Sequence, residues 1–266
     1  APYVRMANSV IFDPAFTAPS FPTMLARNHE LETRVSSNSW GTNVSGVYNA
    51  NAQTYDGLVR DSRSALAGNQ EMVVVFAAGN SGPNPTTIGS PATAKNVITA
   101  GAAEGVQPFG GADGCGTNDA GADSANDIIG FSSRGPTTDL RVKPDIVAPG
   151  THISGMALVT PTSTGLGTRG VGFRGDGVCG GVGSPFFPAG QFWYSASSGT
   201  SHSTPAIAGG AALVYQQFIN NPAYLANRTP SSGAPSPALV KAYLANSARY
   251  MTGVSANDSL PSPRQG

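Results

Sequence analysis

The sequence predicts an α/β fold built on a mainly parallel sheet, and three observations lead there. Met72-Val73-Val74-Val75-Phe76-Ala77-Ala78 is a continuous apolar run of strand length, closed by the turn-forming Gly79-Asn80-Ser81-Gly82-Pro83. Such a run suits a strand covered on both faces, as in parallel sheets. Shorter strand-like segments, Asn96-Val97-Ile98-Thr99-Ala100 and Asp145-Ile146-Val147-Ala148, alternate with segments of helical character. That alternation is the pattern of stacked βα units.

Taken in order, Tyr3 to Ile11 reads as a strand, with Val4, Met6, Val10 and Ile11 as its apolar members. Phe16 to Glu32 starts as a proline-rich loop and then suits a helix around Met24-Leu25-Ala26-Arg27. Val35 to Trp40 reads as a strand end leading to a turn at Gly41. Tyr55 to Leu66 places Leu58, Val59, Ala65 and Leu66 at amphipathic helical spacing. Ser203 to Ile219 and Ser236 to Ala248 complete the helices, the first rich in Ala and Gly for close packing. The Gly-rich stretches 103–130 and 155–191 exceed ordinary loop lengths. No repeat or linker divides the chain, so residues 1–266 read as one domain.

Composition narrows the function. Fifteen basic and fifteen acidic residues cancel, and only 11% of the chain is charged. Nucleic acid and anionic membrane surfaces call for a basic excess, so neither is an expected partner. No apolar run is long enough to span a bilayer. The 34 glycines and 21 prolines mark a loop-rich chain, but apolar runs persist between them, which suits a packed core. The two cysteines, Cys115 and Cys179, both lie in Gly/Asp loops. A disulfide between them is the expectation, and two free thiols are the alternative. The bridge would close a loop of roughly 64 residues, worth roughly 4 kcal/mol in the chain-entropy account. It would also place the protein in an oxidising compartment, secreted or periplasmic.

The chemistry concentrates in Ser198-Gly199-Thr200-Ser201-His202-Ser203-Thr204-Pro205. A serine on a glycine turn at a helix start gains from the helix field and from nearby backbone N–H groups. Four further segments stand in order before it: Asn38-Ser39-Trp40-Gly41, Val74 through Gly82, Phe131-Ser132-Ser133-Arg134-Gly135-Pro136, and Lys143-Pro144-Asp145-Ile146-Val147-Ala148-Pro149-Gly150. In order and spacing these resemble the subtilisin-like serine peptidases, the subtilases. The resemblance covers nearly the whole chain and weakens in residues 13–34 and in the two Gly-rich loops.

The resemblance implies a three-layer subtilisin-like fold and a set of roles. Ser201 matches the nucleophile. Asn80 matches the side-chain donor of the oxyanion hole, with the Ser201 backbone N–H as its partner; a turn-forming asparagine is the plainer reading. Ser39, Trp40 and Gly41 match the strand edge that pairs with an extended polypeptide substrate, though Trp40 also reads as a core aromatic. Ala77, Ala78 and Gly79 match one wall of the pocket for the side chain on the acyl side of the scissile bond. The activity implied is peptide-bond hydrolysis through an acyl-enzyme.

The chain departs from the family pattern in two places. His202 follows the nucleophile where many relatives carry methionine. Adjacent side chains at a helix start diverge, so His202 is not expected to serve as the base. The family's catalytic Asp and His belong to motifs that precede the segment resembling Ala1-Pro2-Tyr3-Val4-Arg5. His29 and His152 sit in no matching motif. The start has neither an initiator Met nor a signal-peptide n-region, and Gln265-Gly266 resembles the beginning of the family's last segment. The chain therefore reads as a core truncated at both ends and incomplete at its N-terminal strands. A missing N-terminal segment of the same protein becomes an expected partner, because the absent strand would leave two facing edges.

No cofactor is required by this chemistry. The oxygen-rich loop residues Asp113, Asn118, Asp119, Asp123, Asn126 and Asp127 would suit a structural calcium, with a solvated acidic loop as the plainer reading. No metal ligand is assigned on these grounds. Asn43, Asn227 and Asn257 fit the glycosylation acceptor pattern, which is common by chance. Two other functions compete with the peptidase: a serine esterase with a crippled triad, and a non-catalytic peptide-binding module.

Overall fold

The computed structural model describes residues 4–9, 11, 20–113, 115–156, 159–160, 168–169, 194–226, 234–256 and 262–266. The elements run α1 (Phe21–Glu30), β1 (Val35–Asn38), β2 (Thr42–Asn43), α2 (Ala50–Arg60), β3 (Val73–Ala77), β4 (Gly89–Ser90), β5 (Ile98–Ala103), β6 (Ile146–Pro149), β7 (Ile153–Met156), β8 (Val159–Thr160), β9 (Thr168–Arg169), β10 (Tyr194–Ser197), α3 (Thr200–Ile219), α4 (Pro222–Ala226) and α5 (Pro237–Ser247).

A four-stranded sheet has the order β1-β3-β5-β6, and all three pairings are parallel. The apolar run at β3 explains why. Successive side chains of a strand point to opposite faces. Val74, Phe76 and Ala78 pack with Leu25 of α1 and Tyr55 and Val59 of α2. Val73 and Val75 pack with Ile207, Ala211 and Val214 of α3 and Val240 and Leu244 of α5. The result is three layers, with helices on both faces of a parallel sheet. Among the described residues no helix is long and apolar enough to cross a membrane.

Local chemistry sets the helix ends. Asn49 caps α2, its side chain accepting the Ala52 N–H at 3.2 Å. That cap starts the helix five residues before the expected Tyr55, and the chain leaves it at Asp61 rather than at Leu66. Ser236 caps α5 through the Leu239 N–H, with Pro237 in the first turn, where its missing N–H costs nothing.

Over the described residues 4–9 and 11 the expected strand at 3–11 is not formed. These residues are irregular, and Val4 and Met6 are exposed. A strand needs a ladder partner, and among the described residues β1 pairs only with β3, which leaves its other edge open. Antiparallel pairs that the sequence did not suggest are β2 with β4, β7 with β10 and β8 with β9. Most of the 155–191 loop lies outside the described residues.

Candidate active site

The site forms where β1 and β3 end and α3 begins, the carboxyl end of the parallel strands where α/β sheets hold ligands. Gly199 precedes α3 with φ +156° and ψ 157°, a backbone region open essentially to glycine. Ser201 follows in the first turn and is half-buried.

Asn80 leaves the end of β3 through Gly79, which has φ +108°. The Asn80 Oδ1 accepts the Thr200 N–H at 3.0 Å and the Thr200 hydroxyl at 2.9 Å. A backbone N–H can only donate, so the amide orientation is determined and Nδ2 is left to face elsewhere. A Cβ placed on Gly199 would stand 3.4 Å from Asn80 Nδ2 and 3.7 Å from the Ser201 nitrogen. The two donors therefore border one small space, which any side chain at 199 would enter.

Thr200 was not singled out from sequence, yet it organises this corner. Its buried hydroxyl donates to Asn80 and accepts the Gly79 N–H at 3.3 Å. Ser133, from the Phe131–Pro136 segment, supports the same turn. Its N–H donates to the Gly79 carbonyl and its hydroxyl accepts the Ser81 N–H at 3.0 Å. A Cβ on Gly79 would lie 2.9 Å from the Ser133 hydroxyl, a second reason for glycine there.

Ser39 meets Ser201 directly, and Pro205 explains how. Proline has no N–H, so the bond from residue 205 to the Ser201 carbonyl is missing from α3. The Ser39 hydroxyl supplies the donor instead, at 2.8 Å. The Ser201 hydroxyl in turn lies 3.4 Å from the Ser39 carbonyl oxygen, a weak contact.

The remaining expected residues fall as follows. Trp40 stacks on Phe21 with centroids 5.3 Å apart and meets Phe76 edge-on at 5.2 Å. Its ring belongs to the aromatic cluster of the core, leaving the backbone of Ser39–Gly41 as the available edge. Gly41 passes so close to β4 that a Cβ would sit 2.9 Å from the Ser90 carbonyl oxygen. Ala77 and Ala78 are buried, and Ala78 belongs to the core cluster under α1 and α2. Gly79 is half-buried at the rim.

None of the three histidines lies against Ser201. His202 turns toward β10, with Nε2 2.5 Å from the Ser197 hydroxyl. Burial holds its pKa below the usual imidazole value, against the pull of Asp113. His152 is fully buried, its ring nitrogens 2.8 and 2.9 Å from the Gln107 and Thr117 carbonyl oxygens. His29 sits in the last turn of α1.

The acidic loop spends its carboxylates on backbone N–H groups. Asp113 accepts from Cys115 and Thr117, Asp119 from Phe109 and Gly110, and Asp127 from Ile128 and Ser255. Among the described residues no group of three or more His, Cys, Asp or Glu side chains is placed to hold a metal ion. Cys115 is disulfide-bonded. Cys179, its expected partner, lies outside the described residues.

The site thus sets a serine at a helix start near an asparagine at the end of a parallel strand, inside an α/β sandwich. The profile of the subtilase family matches residues 9–266, and the chain belongs to that family. It is 37% identical to the serine protease AprX of Bacillus subtilis (strain 168) over 162 residues, 61% of this chain and 29% of AprX. It is 38% identical to pyrolysin of Pyrococcus furiosus over 117 residues, 36% of this chain and 8% of pyrolysin. The chain thus spans under a third of the length of these curated relatives.

Two solved structures share the fold. The patellamide maturation protease PatA superimposes with a TM-score of 0.51 at 19% identity, over 91% of this chain and 61% of PatA. The prenylagaramide maturation protease PagA gives 0.52 at 18%, over 94% of this chain and 66% of PagA.

Proposed function

We propose that this chain is the core of a secreted serine endopeptidase that cleaves polypeptides through an acyl-enzyme on Ser201. The observation that carries the reading is the small space at Gly199 bordered by Asn80 Nδ2 and the Ser201 nitrogen. Two neutral donor nitrogens bordering one space are what a developing oxyanion needs. An extended substrate would lie along the backbone of Ser39–Gly41, which belongs to no ladder among the described residues. The disulfide at Cys115 favours an oxidising compartment.

The catalytic His and Asp would come from residues outside this chain. The open edge of β1 and an exposed apolar face of α3, carrying Pro205, Ala206, Gly209 and Leu213, adjoin Ser201 and offer a strand and a helix somewhere to dock. Members of this family that lose the whole triad fall about a million-fold and keep roughly 10³–10⁴ over water, a residue of catalysis attributed to the oxyanion hole and binding.

A second reading is an esterase action of the chain by itself, favoured by a Ser201 hydroxyl whose neighbour is a carbonyl oxygen rather than an imidazole. Activated esters need less proton removal than amides. Hydrolysis of a peptide amide and of a p-nitrophenyl ester, each beside a Ser201→Ala control, tests both. Ester turnover that disappears in the control is expected for the 266-residue chain, and amide turnover once a segment supplying the catalytic His and Asp is added. No Ser201-dependent turnover in either form would leave a peptide-binding role.

A further inference from the structure

The loop between β5 and β6 reaches the nucleophile turn from behind. Asp113, in that loop, is 6% exposed. Its Oδ1 accepts the Cys115 and Thr117 N–H groups at 2.9 and 3.0 Å, which closes the loop's own turn. Its Oδ2 accepts the Ser198 hydroxyl at 2.5 Å. That hydroxyl also accepts the His152 N–H at 3.0 Å. Cys115 Sγ adds a contact to the same residue, accepting the Ser198 N–H at 3.2 Å and lying 3.0 Å from its carbonyl oxygen. The other side of the loop is fastened to His152, which stacks on Phe109 and bridges the Gln107 and Thr117 carbonyls.

All of this converges one residue before Gly199. Glycine is the residue least able to hold its own backbone angles. Gly199 offers no side chain to cap α3, and beyond it the turn is held by Asn80 on the Thr200 N–H and by Ser39 on the Ser201 carbonyl. The placement of Ser201 beside Asn80 then depends also on what grips the chain just before the glycine. The Gly199 N–H donates to the Gly150 carbonyl at 2.7 Å, and Ser198 is gripped by Asp113. A hydrogen bond to an ionised carboxylate is shorter and stronger than one between neutral groups.

We propose that Asp113 is a positioning residue for the nucleophile, acting through Ser198 and Gly199. The inference rests on the reading of Ser201 as that nucleophile. The Gly-rich loop, which carries none of the family motifs, becomes a brace for the catalytic turn rather than a solvated insertion. Misplacements of an ångström at a reacting group can cost as much as about a hundredfold in rate. Loss of one of several tethers should cost less, about tenfold.

The test uses the full-length protein with Asp113→Asn, Ser198→Ala and the two together, beside Ser201→Ala. Asparagine keeps an acceptor for Cys115 and Thr117 but turns an NH₂ toward the Ser198 hydroxyl, whose second lone pair can accept it, so the carboxylate bond is exchanged for a weaker neutral one, whereas Ser198→Ala removes it altogether. The expected result is a fall in kcat of about tenfold with KM within about twofold, at temperatures where circular dichroism shows the variant folded. The double variant should be no worse than the worse single one, because both act on the same bond. A kcat within twofold of the parent, additive losses, or a loss that only follows the unfolded fraction would overturn the proposal. Should Asp113→Asn not fold, Ser198→Ala, which deletes only a hydroxyl, decides by the same criteria. Turnover surviving in Ser201→Ala would instead show that the nucleophile assignment has failed. A dead Ser201→Ala beside an unaffected Asp113→Asn removes the role of Asp113 alone.

Discussion

The turn around Ser201 and the junction at Asp145 are both polar clusters set into an apolar sheet, and they are built in opposite ways. Asn80, Thr200, Ser39 and Ser133 hold their corner with amides, hydroxyls and backbone groups. Asp145, just before β6, takes Lys143 at 2.6 Å on one oxygen and Lys241 of α5 at 2.9 Å on the other. The Thr99 N–H and hydroxyl complete that junction. Around Ser201, where the proposed reaction would develop negative charge, the corner is held by neutral groups. Where a strand must be locked to a helix, the chain uses three full charges. The difference predicts that the junction governs stability and the turn governs rate.

The largest expected effect is on the junction. Asp145→Ala would leave two ammonium groups facing each other, one of them 97% shielded from solvent. Removing one partner of a buried ion pair costs about 3–5 kcal/mol. The melting temperature should fall sharply while kcat of the protein that remains folded stays near the parent value. Acid titration reports on the same group. Burial raises the Asp145 pKa, but Lys143 and Lys241 outweigh it and hold the pKa below the ordinary 3.8. Between the two values the unfolded chain binds more protons than the folded one, so stability rises with pH there. The junction's contribution is complete above about pH 4 and is lost as pH falls through the lowered folded value. Burial likewise pulls Lys143 down to about 8. An Asp145→Ala protein as stable as its parent, with the same acid profile, would break the comparison at its structural end.

Asn80→Ala attacks the other end. In a member of this same family, removal of the asparagine donor that Asn80 is proposed to match costs about 10²–10³ in kcat. Asn80 is exposed, so its truncation buries no orphaned charge and should leave the melting temperature within a few degrees. The catalytically competent protein should show a lower kcat at nearly constant KM. A change confined to KM would move Asn80 from transition-state stabilisation to ground-state binding.

How much of this was legible in the sequence follows from how local each feature is. Val73–Ala77 could be read as a strand buried on both faces, because five consecutive apolar residues carry that information themselves. Ser201 and Asn80 were singled out by resemblance to the subtilase motifs, and the structure brings both to the start of α3. The two-residue strands β2 and β4 are too short to show any periodicity. The role of Thr200 was out of reach, since its partner Asn80 is 120 residues away. The same holds for Ser133 under Gly79 and for Asp113 beneath Ser198. The strand expected at 3–11 failed for a related reason: apolar spacing gives a strand its faces but not its neighbour. One long-range feature did leave a mark. Proline four residues after Ser201 announces that the Ser201 carbonyl must find its donor outside the helix.

Ser39→Ala is the smallest of these effects and the one that tests whether the two regions are as separable as their chemistry implies. The Ser39 hydroxyl is the donor that the Ser201 carbonyl receives in place of the absent Pro205 N–H. Both residues are accessible enough for water to substitute, because Ser39 is exposed and Ser201 half-buried. A net loss of about 0.5–1.5 kcal/mol is the range for one hydrogen bond of this kind. If the neutral turn governs rate alone, that loss should appear as a severalfold fall in kcat with the melting temperature almost unmoved. If it appears instead in the melting temperature, β1 and α3 are held together through Ser39, and the nucleophile turn is a structural junction as well. Adding Pro205→Ala separates the two outcomes. It returns an N–H to the helix, so the Ser201 carbonyl regains a partner and the rate lost in Ser39→Ala should be recovered. A rate that stays low in the double variant would mean that Ser39 matters for its position along the substrate edge and not for the bond it donates.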